Sequence, residues 1–202
     1  MRRASISASE VPRFGRKPNC APITCVREAV YLGGLISCDG EASRELSRRL
    51  GGVKPIFDSL AKVWSHTNIT ITRKKYLYMS CVTSKILYSL DSLWLLQADR
   101  RRLDAFHFRC LRKLLRIPCS YVSRIPNMEV LRQSGLPPLS KLLERRQVQL
   151  YRRITDLPAD SLVKQVVCTQ DGEPIQWNLR RARGRPRQMW TKCVYQRMCA
   201  DA

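Results

Sequence analysis

The stretch D-R-R-R-L-D-A-F-H-F-R-C-L-R-K-L-L-R-I-P, Asp99 to Pro118, decides how this chain folds. Leu103, Phe106, Cys110, Leu114 and Ile117 recur at steps of three and four, which places them on one face of an α-helix. Asp99 stands where an N-cap is wanted, and Pro118 cannot continue a helix, so both boundaries are legible. The opposite face gathers Arg101, Arg102, Arg109, Arg112, Lys113 and Arg116, with Arg100 beside them and only Asp104 for balance. Like charges three and four residues apart repel along a helix, so this face is expected to meet a polyanion.

Helical patterning continues on both sides. Leu46, Leu50, Val53, Phe57, Leu60 and Trp64 form a second apolar stripe. Gly51, Gly52 and Pro55 fall inside it, which predicts two short helices with Pro55 in the first turn of the second. Thr72 is expected to cap a long helix from Arg73 to about Leu90, with Leu77, Cys81 and Tyr88 on its core face. Asn127 reads as the cap of a short helix at Met128–Ser134, closed by Gly135. Pro137-Pro138 opens another, with Leu139, Leu143, Leu150, Ile154 and Leu157 turned inward. Asp160 can cap a turn or two carrying Leu162, Val163, Val166 and Val167, and Trp190, Val194 and Met198 suggest a closing helix.

One β signal stands upstream. Cys25 to Ser37 reads C-V-R-E-A-V-Y-L-G-G-L-I-S, with strand formers flanking Gly33-Gly34 as a two-residue hairpin turn and Asp39-Gly40 closing the segment. The fold class is therefore mainly α, an irregular helical bundle with one small N-terminal β-hairpin and a disordered basic leader. The expected organisation is a leader over residues 1–22, a helical domain with its leading hairpin over 23–168, a basic linker over 169–187 and a C-terminal helix over 188–202.

The chain has 202 residues and 44% hydrophobic content, enough to bury a core and too much for wholesale disorder. Its longest clean apolar runs, such as Ser92 to Ala98, are too short to span a bilayer. Lys and Arg number 37 against 16 Asp and Glu, a formal net charge of +21, and Arg dominates. Arg grips phosphate bidentately and stacks on bases. A GC-rich coding sequence would raise Arg over Lys as well, but would not produce the net charge.

Nine cysteines, an odd number with no C-x-x-C pair, read as reduced intracellular thiols. His66 and His107 lie far in sequence from any cysteine pair, so no metal or other cofactor is expected. Both histidines read as packing or surface residues. Two of them serve a Ser/His/Asp triad poorly, and no G-x-x-x-x-G-K-[ST] phosphate loop occurs. Asp91, Asp99 and Asp104 are not the tight D-D or D-x-D cluster that two-metal phosphoryl transfer requires. No catalytic residue is assigned. A second basic signal is R-R-A-R-G-R-P-R, Arg180 to Arg187, whose Arg183-Gly184-Arg185-Pro186 core matches a minor-groove hook.

Six segments in order carry a resemblance: Val30 to Gly40 (V-Y-L-G-G-L-I-S-C-D-G), Glu45 to Leu50 (E-L-S-R-R-L), Ser59 to Trp64 (S-L-A-K-V-W), Lys85 to Trp94 (K-I-L-Y-S-L-D-S-L-W), Arg102 to Ile117 and Gly184 to Trp190 (G-R-P-R-Q-M-W). Together they resemble the C-terminal part of reverse transcriptases from LINE-type, non-LTR retrotransposons, over about residues 26–195. The resemblance implies a thumb-like helical domain that follows a catalytic palm and grips template–primer duplex by its phosphates. The family's Y/F-x-D-D metal motif has no counterpart here, nor do the fingers and palm. Gly51-Gly52 and Pro55 break a helix that the family keeps, and Arg145 to Arg153 resembles its R-R-x-x-x-x-G-H segment only in the first half.

The expected function is thus that of a truncated reverse-transcriptase fragment that binds nucleic acid without catalysis by itself. The alternative is an independent basic helical nucleic-acid-binding or regulatory protein. The residues expected to bind nucleic acid are Arg101, Arg102, Arg109, Arg112, Lys113, Arg116, Arg145, Arg146, Arg183, Arg185 and Arg187. Expected partners are RNA or DNA as a template–primer duplex and the palm and fingers of a reverse transcriptase, with no membrane partner. The expected location is intracellular, nuclear and cytoplasmic.

Overall fold

A two-residue hairpin loop of type I′ takes left-handed backbone at both positions. Leu32 and Gly33 supply it, with φ of 47° and 78°. They join β1 (Glu28–Tyr31) to β2 (Gly34–Ser37), antiparallel, with Glu28 opposite Ser37 and Tyr31 opposite Gly34. The turn therefore sits one residue earlier than the Gly33-Gly34 reading, and Gly34 is the first residue of β2. The shift forces a β-carbon into the left-handed region at Leu32, a strain of about 1–2 kcal/mol. In return Val30 pairs with Leu35 and Ala29 with Ile36.

The computed structural model describes residues 26–176 and 188–200. The leader expected over residues 1–22 lies outside them, as does 177–187 with Arg183, Arg185 and Arg187. By its contacts the chain divides into two units, Met1–Gly40 and Glu41–Ala202. The hairpin belongs to the first. The described helices all belong to the second: α1 (Ala42–Ser59), α2 (Ala61–Ser65), α3 (Ile71–Tyr78), α4 (Ser84–Leu87), α5 (Gln97–Leu115), α6 (Ser120–Ser123), α7 (Asn127–Ser134), α8 (Leu139–Thr155), α9 (Leu162–Val167) and α10 (Trp190–Ala200). The protein is mainly helical.

The second unit is built around α5, against which α1, α2, α3, α7 and α8 pack. Leu103, Phe106, Cys110 and Leu114 are buried as their spacing required, and Ile117 is half-buried. Leu46, Val53, Phe57, Trp64, Tyr78, Val82, Ile86, Leu139 and Leu143 are among the residues that join that core. Tyr151, Ile154, Cys168 and Val194 form a smaller cluster where α10 packs on α8.

α1 is unbroken, contrary to the two-helix reading. Pro55 lies inside it, and its ring faces the carbonyl of Gly51 across one turn. Breaking the helix there would disrupt the burial of Leu46, Val53 and Phe57, worth about 1.5–3 kcal/mol per side chain. That offsets about 3 kcal/mol for an interior proline and about 1 for each glycine.

The next helix starts earlier than expected. The side chain of Thr70, not Thr72, accepts from the Arg73 N–H. A π-helical turn at Met79–Thr83 then joins α3 to α4 and alters the register. Tyr78, Val82, Ile86, Leu87 and Leu90 consequently face the core. Leu77 and Cys81 are only half-buried, and Tyr88 is exposed.

Caps differ as well. α5 begins at Gln97, so Asp99 sits in its first turn and accepts from Ser43 Oγ and Arg102 instead of capping. Pro126 and Ser161 occupy the cap positions read as Asn127 and Asp160. Gly135, with φ of 64°, ends α7 as expected. The start of α8 is satisfied by a distant residue: Asp104 accepts from Ser140 N at 2.9 Å and from Ser140 Oγ at 2.6 Å. Leu162, Val163 and Val166 of α9 are exposed, with Val167 half-buried.

Candidate nucleic-acid interface

An arginine can hold a phosphate only if its guanidinium is accessible and not already bonded. On α5 that condition mostly fails. Arg112 is 6% exposed, because the segment from Pro118 to Asn127 folds back over it. Its Nη1 donates to Pro118 O (3.2 Å) and Ser123 Oγ (3.1 Å), and its Nη2 to Ile125 O (2.6 Å) and Asn127 Oδ1 (3.1 Å). Arg112 is a packing residue and leaves the binding set. Its position on the outer arc of the helix says nothing of this, because the covering segment comes from outside the helix.

The other α5 cations are engaged to varying degree. Arg102 donates to Asp99, Ser43 and Ser47, stitching α5 to α1. Lys113 pairs with Asp58 at 3.4 Å and lies over the Phe57 ring. Arg116 donates to the Ser65 carbonyl at the end of α2. Nearby, the buried Lys74 donates to the Trp64 and His66 carbonyls. Arg109 is exposed and donates only to the Ala105 carbonyl within its own helix. Arg101 is exposed and has no partner among the described residues.

α8 differs. Leu139, Leu143, Gln147, Tyr151 and Ile154 form its buried face. Arg145 and Arg146 stand on the other side, exposed and without a partner among the described residues. Arg152 and Arg153 stand there too, equally exposed and unpaired, and sequence reasoning did not name them. Their signal was present, since they repeat Arg145 and Arg146 seven residues later. Lys141, on the same side, is held at 3.1 Å by Glu144.

Glu144 also anchors the C-terminal helix. It accepts from the buried Arg100 at 2.6 Å and pairs with Arg197 of α10. The two guanidiniums flank the Trp94 ring, at 4.5 and 5.1 Å from its centroid. Trp94 Nε1 donates to Gln188 Oε1 and Trp190 Nε1 to the Asp91 carbonyl, both at 2.8 Å.

His107 is fully buried and its Nδ1 lies 2.7 Å from Tyr78 OH. Burial pushes the imidazole down to about 4 and the neighbouring Cys110 thiol up to about 12. His66 is exposed, so the two histidines are far apart in environment as well as in sequence. Among the described residues, no group of three or more His, Cys, Asp or Glu is placed to hold a metal ion. No described helix is long and apolar enough to cross a membrane. Comparison with protein-family models, with curated proteins and with solved structures finds no match to this chain.

Proposed function

We propose that this chain binds nucleic acid through basic helices, as the thumb-like, post-palm portion of a LINE-type reverse transcriptase, and does not catalyse by itself. The observation that carries the reading is a set of exposed arginines with no partner among the described residues, Arg101, Arg145 and Arg146, on a body of net charge +21. Lys and Arg side chains that neutralise phosphates release the counterions condensed on the nucleic acid, so free cations on a strongly basic surface favour binding. On this reading the partners are an RNA- or DNA-containing duplex and the palm and fingers of the polymerase, met in the nucleus and cytoplasm.

The test is fluorescence anisotropy of the purified chain with a labelled primed template over a salt series. The expected result is binding with little sequence preference and a log–log salt slope of roughly 0.9 per neutralised phosphate on B-form duplex. No binding at low salt overturns the reading. Extension of the primer above a no-protein control overturns its non-catalytic part.

A second reading, an independent basic helical nucleic-acid-binding or regulatory protein, draws support from the core of the second unit, which buries Leu46, Tyr78, Leu103, Leu114 and Leu143 almost completely. An adjacent upstream reading frame encoding a palm with two neighbouring aspartates favours the first reading, and its absence favours the second.

A further inference from the structure

We infer that the outer face of α8, carrying Arg145, Arg146, Arg152 and Arg153, is the main phosphate-contact surface of this chain, and that its ligand is the backbone of a duplex. The inference rests on the nucleic-acid reading above and deepens it. It moves the contact from α5, where the sequence concentrates it, to a helix whose second arginine pair carried no assignment.

Three observations converge. The first is availability. All four α8 arginines are exposed and unpaired among the described residues, whereas on α5 Arg102, Lys113 and Arg116 are held by internal oxygens, Arg112 is buried, and only Arg101 and Arg109 remain exposed without a tertiary bond. Releasing an arginine from an internal partner subtracts that interaction from any phosphate contact, so free cations bind first.

The second is sign. Acidic side chains near this face are already engaged or lie at its edge: Glu144 faces Arg100 and Arg197 with one oxygen and Lys141 with the other, Glu129 of α7 is paired with Arg132, and Asp156 stands just past the end of the helix. A solvated helix face ordinarily alternates charges that support one another at four-residue spacing. This one has an excess of a single sign, with no stabilising role for it inside the fold.

The third is geometry. The pairs Arg145/Arg146 and Arg152/Arg153 are seven residues apart, two helical turns, so they face the same way about 10.5 Å from each other. That approaches the roughly 12 Å between the phosphate walls of a B-form major groove. Single strands are held by a basic groove together with aromatic side chains on which bases stack. The one aromatic residue of α8, Tyr151, is fully buried and donates to the Gly172 carbonyl. The exposed face offers four arginines around Gln149 and no exposed aromatic ring of its own, which suits phosphates fixed in place by a duplex.

The experiment compares two full-length variants that lose the same charge. Arg152→Gln/Arg153→Gln removes free cations from α8, and Arg102→Gln/Lys113→Gln removes engaged cations from α5. Each is titrated with a labelled DNA duplex and with one of its strands over a salt series. The α8 variant should flatten the duplex salt slope by about two units and the α5 variant by less than about one, since each phosphate contact contributes roughly 0.9. The unaltered chain should bind duplex more tightly than the single strand.

Equal flattening by the two variants, or more by the α5 variant, overturns the inference while leaving nucleic-acid binding intact. Equal affinity for duplex and single strand overturns the duplex assignment. Failure of the unaltered chain to bind at all sinks the underlying reading instead. Should a variant fold poorly, phenylglyoxal modification of the unaltered chain decides the matter. Duplex should protect Arg152 and Arg153 more than Arg102, and the reverse pattern overturns the inference.

Discussion

α5 and α8 are both long, amphipathic and arginine-rich, yet most cations of α5 are held by internal oxygens, Arg101 and Arg109 excepted, while the outer arginines of α8 are not. α5 lies in the middle of the second unit and is approached from several sides. Several of its cations are accordingly drawn into tertiary bonds: Arg100 to Glu144, Arg102 to Asp99 and α1, Arg112 to the returning segment. α8 buries one face, and its outer arginines find nothing to bond among the described residues. The periodicity of a helix says which side a cation is on. Whether that side meets protein or water depends on the neighbours.

The comparison is sharpest at Arg112 and Arg145. Arg112→Ala leaves the carbonyls of Pro118 and Ile125 and the side chains of Ser123 and Asn127 without their donor, and should destabilise the chain by about 4 kcal/mol. Arg145→Ala should stay within about 0.5 kcal/mol of the parent. Denaturant midpoints measure both, and similar values would dissolve the distinction between the two helices.

The buried faces differ as well, since α5 buries a titratable His107 where α8 buries the amide of Gln147. Burial lowers the imidazole to about 4 from its usual 6.5, so the unfolded chain takes up this proton first as pH falls. The contribution is fully present above pH 6.5, is lost progressively toward pH 4 and changes little below that. It amounts to about 3 kcal/mol, at 1.36 kcal/mol per pH unit. Urea melts across this window should show the loss in the parent and a smaller one in His107→Gln. Identical pH dependence would show that the acid sensitivity lies elsewhere.

Glu144 ties the two helices together, and removing its charge tests how much of α10 depends on it. Glu144→Gln leaves the buried Arg100 without its carboxylate and should lower stability by about 2 kcal/mol. Hydrogen exchange should speed up in Trp190–Ala200 before it does in α5. Unchanged exchange there would assign the docking of α10 to Trp190 and Val194 alone.

The smallest effect is a gain. Gly51 and Gly52 lie on exposed positions of α1, and a β-carbon at either meets nothing within 4 Å. Each Gly→Ala change should stabilise by about 0.5–1 kcal/mol, because the unfolded chain loses freedom and the folded one loses nothing. A loss of stability would mean that this face of α1 is covered, as α5 is and the outside of α8 is not.

Helix periodicity was legible wherever one face alone is buried. Leu103, Phe106, Cys110 and Leu114 of α5 and Leu139, Leu143 and Ile154 of α8 were read correctly, as was the glycine that ends α7. Misreadings fall where a local rule met a distant neighbour. The π-helical turn moved the core from Cys81 and Tyr88 to Val82 and Ile86, and strand pairing moved the hairpin turn onto Leu32. Asp99 and Asp104 look alike in sequence, but one braces α1 and the other caps α8 from 36 residues away. The candidate interface was half-legible: Arg145 and Arg146 were named, Arg152 and Arg153 were not, and Arg112 was misassigned.

By itself the sequence determined the fold class, the sign of the surface and the helix faces that must be buried, since each depends on residue type and on spacing of two, three or four along the chain. Tertiary structure alone decided which cations are free. A guanidinium's partners are chosen by proximity in space, and the carbonyls that hold Arg112 and Arg116 come from segments that no periodicity connects to α5.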